Sequence, residues 1–122
     1  SHFECAKQAI ENGCHIFIEK PITKTVIEAE AIRTLASQKH VMGQVGHVER
    51  FNPAFTAVKD MIVDPMFIEC HRLAEFNPRG TDVPVVLDLM IHDIDIILST
   101  IDSPVKNVHA SGVTVISRTI RF

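Results

Sequence analysis

The stretch from Gly13 to Pro21 limits the possible folds most sharply. Cys14-His15-Ile16-Phe17-Ile18 is a short, mostly apolar run rich in β-formers, the pattern of a strand buried in a parallel sheet. Pro21 cannot continue a central strand, so this one closes at Glu19-Lys20. Residues 1–12 before it read as a helix. Ser1 and Glu4 are spaced as a capping box, and Gly13 is placed to end the helix. Thr25 and Glu28 repeat the capping spacing and open a second helix, with Val26, Ile27, Ala29, Ile32, Leu35 and Ala36 on its apolar side. Residues 41–45 form a second short strand. Helix, strand, helix, strand is the tail of a βαβ series. The expectation is an α/β chain with a parallel sheet covered by helices.

The texture changes after Gly46. His47 to Phe51 lead into Asn52-Pro53, a good N-cap followed by a good first helical residue, and the helix is expected to continue through residue 62. Residues 67–76 are predicted as a strand and 77–82 as a loop by turn chemistry. Residues 84–101 make a long helix. Residues 105–117 make one or two strands, bent at Gly112. The chain has no initiator Met, opens in a helix and stops at Arg121-Phe122 in strand-like sequence, so it reads as an excerpt.

Composition narrows the function classes. Of 122 residues, 46% are apolar and 22% charged, which suits a soluble globular core. A net charge of −3 without clustered Lys and Arg argues against a nucleic-acid partner. The most apolar run, residues 85–101, is broken by Asp88, His92, Asp93 and Asp95, so no membrane span is expected. Cys5, Cys14 and Cys70 form no C-x-x-C pair. They suggest reduced, mostly buried thiols in a cytoplasmic protein rather than disulfides or a zinc site.

The long helix carries the most informative pattern. At 3.6 residues per turn, Asp88, His92, Asp95 and Ser99 share one narrow stripe on a helix that is otherwise aliphatic nearly all round. Such a helix is buried, so its polar stripe must find partners or line a wet cleft; the plain alternative is a stripe facing solvent. Asp88 and His92, four apart, can act as an acid orienting a general base near neutral pH. The same two could ligate a divalent metal, but no further local ligand supports them. Asp93 points into the apolar arc and needs a partner that the sequence does not name. Lys20, at the carboxyl end of a strand, sits where open α/β sheets bind ligands; a surface turn is the default alternative.

Gly13 to Pro21 resembles the strand signature ending in Glu-Lys-Pro of the Gfo/Idh/MocA oxidoreductases. Asp88-Leu89-Met90-Ile91-His92-Asp93-Ile94-Asp95 resembles their D-x-x-x-H-D-x-D helix. Val45 to Pro53 fits the segment between, and its detail resembles the branch acting on nucleotide-linked N-acetylhexosamines. The likeness covers nearly the whole chain in the right order.

The resemblance implies a two-domain enzyme that transfers hydride between a sugar or nucleotide-sugar hydroxyl carbon and NAD or NADP. Residues 1–45 would be the end of a Rossmann domain, and residues 46–122 the start of an α/β substrate domain with a large open sheet. Lys20, Asp88 and His92 would be the catalytic set, with Lys20 and His92 on the substrate hydroxyl. Glu19, Lys20, Pro21 and His2 would meet the cofactor, and a cis Lys20-Pro21 peptide would aim the lysine. Arg50 is a substrate candidate, with a salt bridge as the structural alternative, and Asn52 is either a contact or a helix cap. His47 is ambiguous, while His15, His40, His71 and His109 read as ordinary strand or turn residues. The Gly-rich dinucleotide fingerprint is absent from these residues, so the excerpt alone is expected to be inactive. No metal is expected, and the intact parent is expected to be a homo-oligomer. Two rivals remain: a non-catalytic sugar-binding or assembly protein on the same scaffold, and a metal-dependent lyase or hydrolase using Asp88 and His92.

Overall fold

A computed structural model describes residues 1–73 and 84–113. The chain divides into two compact units, Ser1–His47 and Val48–Phe122. The expected loop at 77–82 lies outside the described residues.

The first unit runs α1 (His2–Glu11), β1 (Ile16–Glu19), α2 (Val26–Gln38) and β2 (Gly43–Gly46). The two strands pair in parallel, with Ile16 opposite Gly43 and Glu19 opposite Gly46. Alternation along β1 turns Ile16 and Ile18 inward and leaves Phe17 60% exposed. Ile18 joins Ala6 and Ile10 of α1 and Ile32 and Ala36 of α2 in the core, with Phe3, Ile22, Leu35 and Val41 packed against it. Val26 and Ile27, expected on the apolar side of α2, are exposed instead, because they lie in the first turn, ahead of the buried Ile32 and Ala36.

Local chemistry sets the helix ends. At Thr25 the capping box forms in full: its hydroxyl accepts the Glu28 N–H at 3.3 Å, and the Glu28 carboxylate accepts the N–H groups of Thr25 and Lys24. The expected box at Ser1 does not form; Ser1 is the N-cap residue, but its side chain makes no capping bond. Both helices close with a Schellman motif. After α1, Gly13 takes φ +74° while its N–H bonds Ile10 O and that of Cys14 bonds Ala9 O. After α2, His40 fills the same position at φ +54°, with His40 N–H on Ser37 O and Val41 N–H on Ala36 O. Each motif reverses the chain directly into a strand.

In the second unit, residues Val48–Phe51 form a 3₁₀ turn. Asn52 then caps α3 (Pro53–Thr56), its Oδ1 accepting the Ala54 N–H at 3.0 Å and its amide donating to Glu49. The helix expected through residue 62 stops at Thr56 and gives way to a separate 3₁₀ turn, Lys59–Met61. Residues 67–73 and 105–113 form no strand, because β-forming composition needs a ladder partner and none of the described residues supplies one. The long helix begins as a π turn, Val86–Met90, and becomes α4 at Ile91–Thr100. Its burial matches the expectation at the polar stripe in Asp95 and departs from it along one aliphatic row. Asp95 is buried, while Val86, Met90, Ile94 and Leu98, four residues apart along one side, are 41–52% exposed, since no described residue covers them.

All three cysteines are free and exposed, which corrects the expectation of buried thiols. Cys5 lies on α1, Cys14 in the turn after it, and Cys70 in a segment without regular structure. Among the described residues, no helix is long and apolar enough to cross a membrane.

Candidate active site

In the first unit, four of the residues singled out by sequence gather at the carboxyl end of β1. Glu19 is the last strand residue, and the Lys20-Pro21 peptide is cis. His2, from the first turn of α1, reaches across to the Pro21 carbonyl at 2.8 Å. A carbonyl only accepts, so Nδ1 carries a proton and donates it to this bond. The Glu19 carboxylate lies over Gly46, where an added Cβ would sit 3.1 Å from Oε2 and 3.2 Å from Oε1. Glycine at that point lets the two strands place an acid directly above the neighbouring backbone. His2 and Glu19 border a groove of about 460 Å³ along β1, also lined by Cys5, His15 and Phe17. Its size falls in the range of small-molecule sites.

The donor set suits one end of a dinucleotide. A carboxylate accepts ribose hydroxyls, and an imidazole nitrogen and an amine can meet polar atoms of a nicotinamide. The pyrophosphate-binding glycine loop is not among these residues.

In the second unit, Asp88 stands in the π turn and His92 in the first turn of α4. His92 is half-buried, and its Nδ1 is fully buried with no hydrogen-bond partner among the described residues. Asp88 therefore does not hold that nitrogen, although the four-residue spacing suggested a carboxylate–imidazole pair. The neighbouring acids are held firmly. Arg50 donates through Nε and Nη2 to both oxygens of Asp95, at 2.6 and 2.5 Å. Arg72 grips Asp93 in the same way, at 2.7 Å on each arm. These are bidentate, charge-assisted pairs. The Arg72 hydrogen bonds hold the Asp93 carboxyl below the ordinary aspartate range, against the opposing effect of burial. Asp95 likewise raises the Arg50 guanidinium, mainly by hydrogen bonding.

Two residues thus gain partners that the sequence did not name. Asp93 finds Arg72. Arg50, expected at the substrate, gives one edge of its guanidinium to Asp95, which leaves Nη1 and the second Nη2 hydrogen for any substrate contact. Asn52 is a helix cap. Among the described residues, no group of three or more His, Cys, Asp or Glu side chains is arranged to hold a metal ion.

Comparison with known proteins bears directly on these motifs. Residues 1–47 match the oxidoreductase family described as an NAD-binding Rossmann fold. UDP-N-acetylglucosamine 3-dehydrogenase of Acidithiobacillus ferrooxidans is 36% identical over 118 residues, covering 96% of this chain and 38% of the relative. The chain belongs to the Gfo/Idh/MocA oxidoreductase family. Another relative of this Gfo/Idh/MocA chain, scyllo-inositol 2-dehydrogenase (NAD(+)) of Bacillus subtilis, is 27% identical over 92% of it and 35% of the relative. A solved structure of the Acidithiobacillus enzyme superposes with a TM-score of 0.87 at 37% identity, over 95% of this chain and 37% of that one. This chain spans a little over a third of the length of the curated relatives it matches. Its mixed α/β architecture with a small parallel sheet is that of Rossmann-type members of the family.

Proposed function

We propose that this chain is part of a nicotinamide-dependent dehydrogenase acting on a sugar or nucleotide sugar, with a UDP-linked N-acetylhexosamine as the preferred substrate class. The observation that carries this reading is the similarity to a UDP-N-acetylglucosamine 3-dehydrogenase over 96% of the chain, spanning both units. Residues 1–45 then serve the cofactor and residues 46–122 the substrate.

When bound, NAD or NADP supplies the acceptor for the hydride that leaves the hydroxyl-bearing carbon. The hydroxyl O–H bond breaks in the same reaction, and the carbon–oxygen bond becomes a carbonyl. His92 takes the hydroxyl proton. That role is the one its match to the D-x-x-x-H-D-x-D helix implies. Lys20 donates a hydrogen bond to the same oxygen and stabilises the negative charge that grows there. Asp88 supplies further negative potential on the proton-accepting side. Glu19 accepts ribose hydroxyls, and His2 braces the Lys20-Pro21 segment through the Pro21 carbonyl while keeping Nε2 for the cofactor. Three free thiols are in keeping with a cytoplasmic location. Assembly into a homo-oligomer belongs to the same reading.

The test is turnover of the intact protein with UDP-N-acetylglucosamine and NAD or NADP, followed by nicotinamide fluorescence. Lys20→Met is expected to lower kcat by about 100-fold or more while leaving cofactor affinity in place. Undiminished turnover in Lys20→Met would refute the assignment. Sugar binding without any reduced nicotinamide would favour the non-catalytic rival.

A further inference from the structure

We infer that Asp93 and Asp95 are positioning residues: with Arg72 and Arg50 they form two forks that fix the rotation of α4, and with it the direction of His92. The inference rests on the dehydrogenase reading above, in which His92 is the base.

Among the described residues, the Nδ1 of His92 has no hydrogen-bond partner, so none of them orients the ring through that atom. Its direction follows from the backbone that carries it. That backbone is not anchored by regular helix on its N-terminal side, because α4 follows a π turn in which Ile91 N–H bonds back to Val86 O. A wider turn sets the rotation of the following helix less strictly than continuous α-helix does.

The forks supply what the turn lacks. On an α-helix, Asp93 lies about 100° round the axis from His92 in one sense, and Asp95 about 60° in the other. The two pairs therefore bracket the histidine. Turning α4 either way stretches one fork and crowds the other. Each fork is planar and bidentate, so it also resists sliding along the axis. The arginines come from separate places: Arg50 from the 3₁₀ turn before α3, Arg72 from the irregular segment after it. Asp95 is the buried member, with its side chain 9% exposed. An acid buried there without its arginine would be expensive, which ties the burial of α4 to the formation of the fork.

The experiment uses the intact protein with Arg50→Gln, Arg50→Lys, Asp95→Asn and Arg72→Gln. Two readouts are taken: steady-state kinetics, and the ¹³Cε1 resonance of His92 together with amide hydrogen exchange across residues 91–100. Arg50→Gln and Asp95→Asn are expected to lower kcat by about 10- to 100-fold, since small misplacements of a reacting group cost that much. KM is expected to change by less than about threefold, because the lost contact touches neither substrate nor cofactor. The His92 resonance shifts or broadens in the same variants. Arg50→Lys keeps the charge but not the fork and stays impaired. Full activity in Arg50→Lys, or an unchanged His92 resonance in Arg50→Gln, overturns the inference. So does retained kcat despite a displaced resonance. If the unsubstituted protein shows no turnover, the dehydrogenase reading fails, and the resonance still decides whether the forks position His92.

Discussion

Replacing Gly46 by alanine tests the role of Glu19 without touching its side chain. An alanine Cβ would stand 3.1 Å from Oε2 and 3.2 Å from Cδ and Oε1, whereas ordinary contact begins near 3.4 Å. The carboxylate must retreat by a few tenths of an ångström. Glu19 is exposed, so it turns aside without compressing the core, and the stability change should stay within about 0.5 kcal/mol. Binding should respond more. A hydrogen bond to a charged group is worth about 1.5–3 kcal/mol, and weakening it by half raises the cofactor Kd roughly 3- to 10-fold. Gly43→Ala is the matched control on the same strand. Its Cβ would meet Ile16 Cγ1 at 3.3 Å, away from any carboxylate, so it should cost about 1 kcal/mol of stability at most and leave cofactor affinity alone. Calorimetric titration of the intact variants with NAD and NADP gives the affinities, and urea unfolding gives the stabilities. Equal affinities for Gly46→Ala, Gly43→Ala and the unsubstituted protein would falsify the assignment of Glu19 to the cofactor.

Three further outcomes follow from the local chemistry. Thr25→Ala removes the acceptor of the Glu28 N–H and should cost about 1 kcal/mol in urea unfolding, whereas Ser1→Ala, which removes no capping bond, should cost nothing measurable. His40→Gly relieves a side chain held at φ +54° and should raise the unfolding midpoint by a stabilisation of about 0.5–1 kcal/mol; a drop would show that the imidazole contributes more than the strain costs. Asp93 has a depressed folded-state pKa, so its contribution is complete above the unfolded value and fades as the pH falls below about 4 through the folded value. Arg72→Gln should therefore flatten the acid limb of the stability–pH profile, damped by the quarter exposure of the Asp93 side chain; an unaltered limb would count against the pair.

The first unit was largely legible because its signals are local. The capping box at Thr25, the left-handed Gly13 and the proline closing β1 each act within a few residues, and the periodicity of α2 placed Ile32 and Ala36 correctly. Where locality fails, so did the reading. His40 ends α2 as glycine ends α1, but a histidine gives no warning of a positive φ. The composition of residues 67–73 favours strands, yet a strand exists only where a distant segment pairs with it. The stripe of Asp88, His92 and Asp95 was visible as a stripe, but its inward direction depends on Arg50, 45 residues from Asp95, and on Arg72, 21 residues from Asp93. The identities of Glu19, Lys20, Asp88 and His92 as candidates came from motif likeness, and the gathering of His2 with Glu19-Lys20-Pro21 adds a spatial reason for the first group.

The π turn at Val86–Met90 has a further consequence for anyone editing this segment. Closing hydrogen bonds five residues apart instead of four is equivalent to lodging one surplus residue in the helix. Deleting a single aliphatic residue there would let the segment relax to a uniform helix, and the protein could become more stable for it. Yet if the residue removed is Leu89 or Met90, everything upstream of the cut would swing about a quarter-turn, turning Asp88 relative to the histidine. Thermal gain and lost chemistry in one deletion would mark the surplus residue as an adjuster of aim rather than a flaw in folding.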